Sequence, residues 1–175
     1  VAVPEAPLER LTDRVAGWLG ALDSVSHRAV AGAVLARAGR PVASWLRLLE
    51  VRTTRLEDRA WLALGLAHLG RKDEAAALLE GDGLQRATER DSGDLLRSPV
   101  RERALELRAR LAATPDHPRI PVLAAELTDR VLRPQRLNTQ EQGQAVLALA
   151  RYHDAHAVPD RAVRARVRLG ETTRA

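Results

Sequence analysis

LARAGR at residues 35–40 and LAHLGR at residues 66–71 share the pattern Leu-Ala-x-x-Gly-Arg, which recurs after 31 positions, from Leu35 to Leu66. Glycine behind an apolar helical pattern is typical of a helix C-terminus, because glycine tolerates the left-handed backbone conformation found there. VLALARY at residues 146–152 echoes the helical part of the unit. A repeat of about 30–45 residues indicates stacked antiparallel helix pairs, arranged as a solenoid or as a closed helical toroid.

The composition favours helices built on small apolar side chains. Of the 175 residues, 45% are hydrophobic and 29% are charged, but only 2% are aromatic. A core of Leu, Ala and Val suits closely packed helices better than a sheet sandwich. The chain contains no Cys, so it has no disulfide, thiolate metal ligand or cysteine nucleophile.

Apolar residues at helical spacing predict eight helices, at about residues 8–22, 24–38, 41–49, 53–67, 73–80, 98–111, 122–132 and 138–152. The residues expected to cap or open these helices are Ser24 or Ser26, Pro41, Thr53 or Thr54, Ser98 with Pro99, and Asn138 or Thr139. Residues 81–98 are rich in Gly, Asp and Ser, so we expect an irregular loop there.

The tail follows a different period. Val163, Ala165, Val167 and Leu169 alternate with three arginines, Arg164, Arg166 and Arg168. Alternation of this kind predicts a half-buried strand with one charged face. Exposed arginines on that face would discourage edge pairing. A single strand is not stable alone, so we expect its partner to lie outside the chain or to be an unexpected one.

Charge and hydropathy exclude two classes of partner. The net charge is +5 and the pI is about 10.9, with Lys72 as the single lysine. The arginines are interleaved with Asp and Glu, as in residues 8–14 and 100–108. Interleaved charges indicate solvated helix faces rather than a nucleic-acid-binding stripe. No run of about 18 apolar residues predicts a membrane span. The absence of Met leads us to expect a processed form or a part of a longer protein.

Two histidine-containing segments carry candidate chemistry. His153 and His156 lie at i and i+3 beside Asp154, but a zinc site needs a third protein ligand. We therefore interpret the segment as a polar helix end. Ser26-His27 would need an orienting group and an oxyanion hole to act as a nucleophile and base. A helix-capping serine is the simpler interpretation of Ser26.

The acidic residues and tryptophans are expected to be structural. Asp82, Asp91 and Asp94 lack calcium-loop spacing, and Glu57-Asp58 and Asp73-Glu74 fall in first helical turns, where carboxylates favour the positive end of the dipole. No glycine-rich phosphate loop is present. We expect Trp18, Trp45 and Trp61 to pack in the core or between helices, since a partner-binding role would need one of them exposed. The sequence thus assigns no catalytic, cofactor-binding or metal residue.

Three segments together resemble a known family. Residues 56–75, 96–109 and 137–150 are similar, in order and spacing, to the later part of the thioester domain of bacterial alpha-2-macroglobulin-like proteins. The last segment, LNTQEQGQAVLALA, resembles the late "T-Q-E … A-L-L-A-L" helix of that domain. Residues 1–55 fit as an earlier helix pair.

The resemblance implies a fold and a function. It implies the later half of an α/α toroid over residues 1–156, followed by a linker and the first strand of a β domain over residues 157–175. It implies a protease-trapping inhibitor of the bacterial periplasm or cell envelope, in which a bait region is cleaved and an internal Cys–Gln thioester often captures the protease. This chain has no Cys, and Thr139-Gln140 precedes Glu141-Gln142, so the thioester motif either lies upstream or is missing from the parent protein.

Three functional hypotheses remain open. The leading one is a non-catalytic structural part of such an inhibitor, without a cofactor, whose partners are proteases bound by the whole protein and neighbouring domains. The second is a free-standing helical-repeat interaction module that grips a peptide. The third, an enzyme with acidic residues in the funnel of a toroid, is disfavoured because Asp and Glu are dispersed at helix starts. Half a toroid would leave apolar faces uncovered, so we expect self-association.

Overall fold

The computed structural model describes residues 5–80, 83–91, 96–133, 137–156, 167–169 and 172–174. The described residues up to His156 are mainly helical. Its described helices are α1 (Glu5–Leu19), α2 (Val25–Arg37), α3 (Ala43–Glu50), α4 (Leu56–His68), α5 (Lys72–Leu79), α6 (Pro99–Ala113), α7 (Arg119–Leu132) and α8 (Thr139–His156). The predicted all-α class is therefore confirmed.

The helices form two layers. α2 packs on α4, α4 on α6, and α6 on α8, which gives an inner row of even-numbered helices. Each odd-numbered helix packs on the even-numbered helices next to it in sequence. Within the described residues, the odd-numbered helices make no comparable contact with one another. This alternation is that of repeated helix hairpins, as the recurring unit predicts.

Glycine allows the closest approach within the inner row. A Cβ atom added at Gly65 of α4 would lie 3.3 Å from the backbone Cα of Ala33 in α2 and 3.0 Å from Leu46 Cδ1. A Cβ atom added at Gly32 would lie 2.8 Å from Leu46 Cδ2. Small residues therefore set the spacing between α2 and α4, because the backbones pack almost directly against each other there.

Helix α6 joins two hydrophobic cores. One side of α6 supplies Leu105 and Ala109 to a core that extends over α2 to α5. The other side supplies Ala104 and Leu107 to a second core with α7 and α8. A helix buried on both sides lies in the middle of the array, and α6 accordingly connects its two halves.

The repeated Leu-Ala-x-x-Gly-Arg unit ends two inner helices in the same way. Gly39 and Gly70 have φ of +76° and +79°. The Arg40 amide donates to the carbonyl of Leu35 at 2.9 Å, and the Arg71 amide donates to that of Leu66 at 2.9 Å. These bonds close the last turn of each helix around the left-handed glycine. The predicted glycine stops are confirmed, whereas α8 runs through the third copy of the pattern to His156.

Three predicted N-caps are confirmed. The Ser24 side chain accepts from the His27 amide at 3.4 Å, and that of Ser98 accepts from the Arg101 amide at 3.2 Å. Asn138 and Glu141 form a reciprocal capping box, in which each backbone amide donates to the other side chain, at 2.9 and 2.8 Å.

Other predicted helix starts are wrong. α4 begins after Arg55 without a side-chain cap, and the Thr53 hydroxyl donates instead to the Glu50 carbonyl at 2.9 Å. Pro41 precedes α3, whose N-cap position is Val42. α7 begins at Arg119 rather than at residue 122, because Pro121 is compatible with a first helical turn.

The tail is described only in part. Most of the predicted strand, up to residue 166, lies outside the described residues. β1 (Val167–Leu169) pairs antiparallel with β2 (Thr172–Arg174), within the chain itself. That the tail belongs to a following β domain, and that a boundary lies between residues 156 and 157, stay predictions. Among the described helices, none has the length and apolarity that crossing a membrane requires.

Candidate functional sites at the two ends of the inner row

An irregular segment crosses the N-terminal ends of the inner helices. We call residues 83–91 and 96–98 the strap; its described part contains no helix, as predicted for this loop. The Ala87 amide donates to Glu102 Oε2 at 2.9 Å, and Arg90 donates two bonds to Glu141 at 2.8 and 2.7 Å. The Leu56 amide donates to the carbonyl of Gln85 at 3.0 Å. The strap is therefore tied to the starts of α4, α6 and α8.

A buried ionic cluster lies beneath the strap. Arg101 Nη2 is 3.2 Å from Glu57 Oε1, and Arg97 Nη2 is 3.6 Å from Asp58 Oδ1. The Ser26 hydroxyl donates to Asp58 Oδ2 at 2.8 Å and accepts a bond from Arg97. The interpretation of Ser26 as a cap is wrong, since Ser24 holds that position. Ser26 bonds to a carboxylate and a guanidinium group, not to the imidazole of His27.

Glu106 is the centre of a second ionic cluster. Its side chain is 0% exposed and accepts bonds from Arg110 at 3.1 Å, Arg119 at 2.9 Å and Arg86 at 3.2 Å. The three arginines come from α6, α7 and the strap. Sequence analysis missed this cluster because two of the partners are distant in the chain. The one local signal was Glu102, Glu106 and Arg110 at successive i,i+4 positions of a helix with many apolar residues.

The buried carboxyl groups divide into two electrostatic classes. Burial raises the pKa of Glu57 and of Glu102 above the ordinary value, although arginines nearby partly oppose it. Burial also disfavours the charged forms of Glu106 and Glu141, but bonds from Arg119 to the first and from Arg90 to the second hold both pKa values below the ordinary range. The direction of the pKa shift is thus set by burial at Glu57 and Glu102 and by hydrogen bonds from arginine at Glu106 and Glu141.

Glu57 and Glu102 line a cavity of about 250 Å³ under the strap. One oxygen of Glu57, Oε2, has no hydrogen-bond partner. Two carboxyl groups with raised pKa beside one cavity are the kind of convergence that the enzyme hypothesis requires. Each of them, however, is held by an arginine or a backbone amide, which is the pattern of structural ion pairs rather than of a free acid and base.

The remaining polar candidates are dispersed. His153 Nδ1 is 3.9 Å from Asp154 Oδ1 at an exposed position, and His156 stacks on Tyr152. The part of the chain that the structure describes contains no group of three His, Asp or Glu residues placed to hold a metal ion. Glu74 contacts Arg47 and Arg71 at the surface, beside the exposed Asp73.

Several of the polar residues interpreted from the sequence fall in parts of the chain that the structure does not describe. Asp82, Asp94, Arg164 and Arg166 lie outside the described residues, as does the side chain of Arg168. The backbone amide of Asp91 donates to the carbonyl of Arg97 at 2.8 Å, so the two described parts of the strap contact each other.

The prediction that all three tryptophans pack in the core or between helices is wrong for Trp18, whereas the ring of Trp45 lies 3.9 Å from a Cβ atom added at Gly20, just after α1. Trp18 is 56% exposed and Trp45 is 37% exposed, whereas Trp61 is half-buried against the first core. Trp18 is exposed because the side of α1 that faces away from α2 has no neighbouring helix in the described part of the chain.

Both terminal helices of the array expose apolar side chains. On α1 these are Leu8, Leu11 and Trp18, and on α8 they are Val146 and Leu147. We call these two sets the end faces. α4 and α6, which have a neighbour in the inner row on each side, expose no large apolar side chain, so we interpret the end faces as places where a further helix would pack.

A second cavity, of about 570 Å³, lies at the opposite end of the inner row, and we call it the C-terminal pocket. It is lined by one basic residue from each inner helix, namely Arg37 of α2, His68 of α4, Arg108 of α6 and Arg151 of α8. Arg37 and His68 are the last residues of their helices, and Arg108 and Arg151 lie in the C-terminal halves of theirs, whereas the strap binds the first turns. The inner helices therefore run in the same direction.

The C-terminal pocket carries excess positive charge. Arg108 donates to Gln144 Oε1 at 2.6 Å and lies 5.8 Å from the ring centroid of Trp61, and neither group neutralises it. Partial burial, together with Arg37 and Arg151, lowers the pKa of both His68 and Arg108. Asp154 is the one acidic residue among the described residues that line the pocket.

Comparison with protein-family models, with curated proteins and with solved structures gave no match.

Proposed function

We propose that the chain is a non-catalytic structural sector of a protease-trapping, alpha-2-macroglobulin-like inhibitor of the bacterial envelope. The observation that carries the proposal is the pair of end faces on α1 and α8. A helical hairpin array that exposes apolar side chains at both ends is what a sector of a larger helical ring requires. In this proposal the array continues into a closed toroid.

The family resemblance supports the proposal at the level of elements. Its three segments coincide with α4 and the start of α5, with the end of the strap and α6, and with most of α8. They therefore supply three consecutive helices of the inner row. An ancestral relationship would preserve this row first, because each of its helices packs against two others.

The ionic clusters support a structural role for the sector, in which ion pairs hold the helices and the strap in fixed positions. Glu106 connects α6, α7 and the strap through three arginines, and Glu141 connects α8 to the strap. Bidentate contacts between arginine and carboxylate fix geometry as well as contributing energy. Such cross-links would keep the hairpins in register while neighbouring domains rearrange around a captured protease.

The experiment is a trapping assay on the protein encoded by the complete reading frame. The purified protein is incubated with trypsin, and cleavage of casein is compared with cleavage of a small chromogenic peptide. Trapping predicts that casein cleavage falls while peptide cleavage continues, because a caged protease still admits small substrates. Unchanged cleavage of casein, over a range of proteases, would contradict the proposal.

The C-terminal pocket favours a second candidate function. A free-standing helical-repeat module would use that pocket to grip a partner, since charged residues from successive hairpins converge there. A short reading frame that encodes little beyond these hairpins would favour the module. A long reading frame with further domains would favour the inhibitor.

A further inference from the structure

We propose that the C-terminal pocket is a binding site for a multivalent oxyanion, a ligand that presents two or more phosphoryl or carboxylate charges. The inference goes beyond the inhibitor proposal, which assigns the chain no ligand of its own, and it names the ligand chemistry that the module candidate leaves open. It rests on four inner helices that each bring a basic side chain, Arg37, His68, Arg108 or Arg151, to one open cavity.

The arginines of the C-terminal pocket, of which Arg37 and Arg151 are exposed and Arg108 is half-buried, are not paired as those around the strap and α6 are. Around the strap and α6, the arginines contact carboxylates within 4 Å, as in the pairs of Arg86 and Arg119 with Glu106 and of Arg90 with Glu141. In the pocket, the described residues provide Arg37, Arg108 and Arg151 with no ion-pair partner. Like charges held together without a counter-charge raise the local potential and attract anions.

Arg108 is oriented without being neutralised. Gln144 accepts one of its N–H bonds, and the Trp61 ring lies beneath the guanidinium group. Both contacts restrict the side chain while they leave other N–H donors available. A guanidinium fixed in this way loses little conformational entropy when it binds a carboxylate or phosphoryl group.

The shape and lining of the pocket agree with a small ligand. Its volume of about 570 Å³ falls within the range of roughly 300–1,000 Å³ usual for small-molecule sites. Leu64, Leu111 and Ala112 form an apolar part of the wall. Asp154 offsets one of the positive charges, and the three guanidinium groups still leave an excess that favours a ligand with more than one negative charge.

The test is isothermal titration calorimetry on the full chain with inorganic pyrophosphate and with citrate, at constant ionic strength. The variants are Arg37→Gln and Arg151→Gln, both at exposed positions where a substitution leaves the cores intact. Arg52→Gln, at an exposed position away from the pocket, is the matched control that removes the same charge. Circular dichroism verifies that each variant keeps its helices.

We expect one binding site in the wild type, affinity reduced on the order of tenfold by each pocket substitution, and a change within about twofold for the control. Binding of pyrophosphate but not of citrate would support the site and identify its ligand as phosphoryl; binding of both would support it and extend it to polycarboxylates. Absence of binding for both probes, or equal binding by the Arg37, Arg151 and Arg52 variants, would overturn the proposal.

Discussion

At the scale of single residues, the chain uses arginine in two opposed ways. Beneath the strap, arginines compensate buried carboxylates and fix three elements around Glu106. In the C-terminal pocket, Arg108 is oriented by neutral groups and keeps its charge unopposed. Arginine therefore joins the strap to the helices at one end of the inner row and, in our proposal, binds a ligand at the other end.

We expect Glu106→Gln to lower the free energy of unfolding by about 1–3 kcal/mol at pH 7, because Arg86 and Arg119 would lose this carboxylate and Arg110 would keep Glu80 alone. Urea denaturation followed by circular dichroism measures the change. Glu126→Gln is the matched control, since among the described residues Glu126 pairs with Arg103, at a partly exposed site, and its loss should cost less than about 1 kcal/mol. Equal effects of the two substitutions would contradict the role assigned to Glu106.

The pH dependence of the Glu106 substitution has a defined sign. The pKa of Glu106 is lowered in the folded chain, so its contribution is present above the unfolded pKa and is lost as the pH falls through the folded one. The difference between wild type and Glu106→Gln should therefore shrink on acidification below about pH 4.5. A constant difference down to pH 3 would show that folding does not lower the pKa of Glu106.

Sequence reasoning at this scale succeeded where the cause is local. Gly39, Gly70, Ser98 and Asn138 act within one helical turn, and each was identified from its neighbours in the chain. Glu57 was predicted only as a first-turn carboxylate, whereas its partner Arg101 lies on another helix. Pairing between helices depends on how the hairpins stack, which no local pattern specifies.

At the scale of elements, the inner row depends on glycine where α2 meets α4. We expect Gly65→Ala to destabilise the chain by about 1–3 kcal/mol, because the new methyl group would press on the Ala33 backbone and on Leu46. Gly143→Ala, in α8, is the matched control: nothing lies within 4 Å of its added Cβ, so the substitution should stabilise the chain by about 0.5–1 kcal/mol. Thermal unfolding compares the two.

Opposite signs for these two glycine substitutions would support close packing of α2 on α4. If both substitutions stabilise the chain, α2 and α4 lie farther apart than they do in the structure.

The helices themselves were predictable as elements, but their arrangement was predictable only in part. Apolar periodicity located all eight helical segments, while the starts of α3, α4 and α7 differ from the predicted positions by a few residues. The irregular strap was expected, yet its attachment to α4, α6 and α8 was not, because Arg86 and Arg90 resemble any solvated charges in sequence.

At the scale of the whole molecule, the end faces distinguish a ring sector from a self-contained module. The prediction of buried tryptophans failed at Trp18 for this reason: α1 has an apolar face, but no described helix covers it. Amphipathic periodicity reveals that a face is apolar and does not reveal whether its partner belongs to the same chain.

Static light scattering of the purified chain over a wide concentration range tests directly whether the end faces are surfaces on which further helices pack. We predict that the mass of the wild type rises with concentration, because the end faces of α1 and α8 pack on one another. The double variant Leu11→Gln/Val146→Gln should associate less, and Val122→Gln, at an exposed apolar position of α7 in the outer layer, should behave as the wild type. A wild type that keeps the mass of a monomer at every concentration would contradict the account.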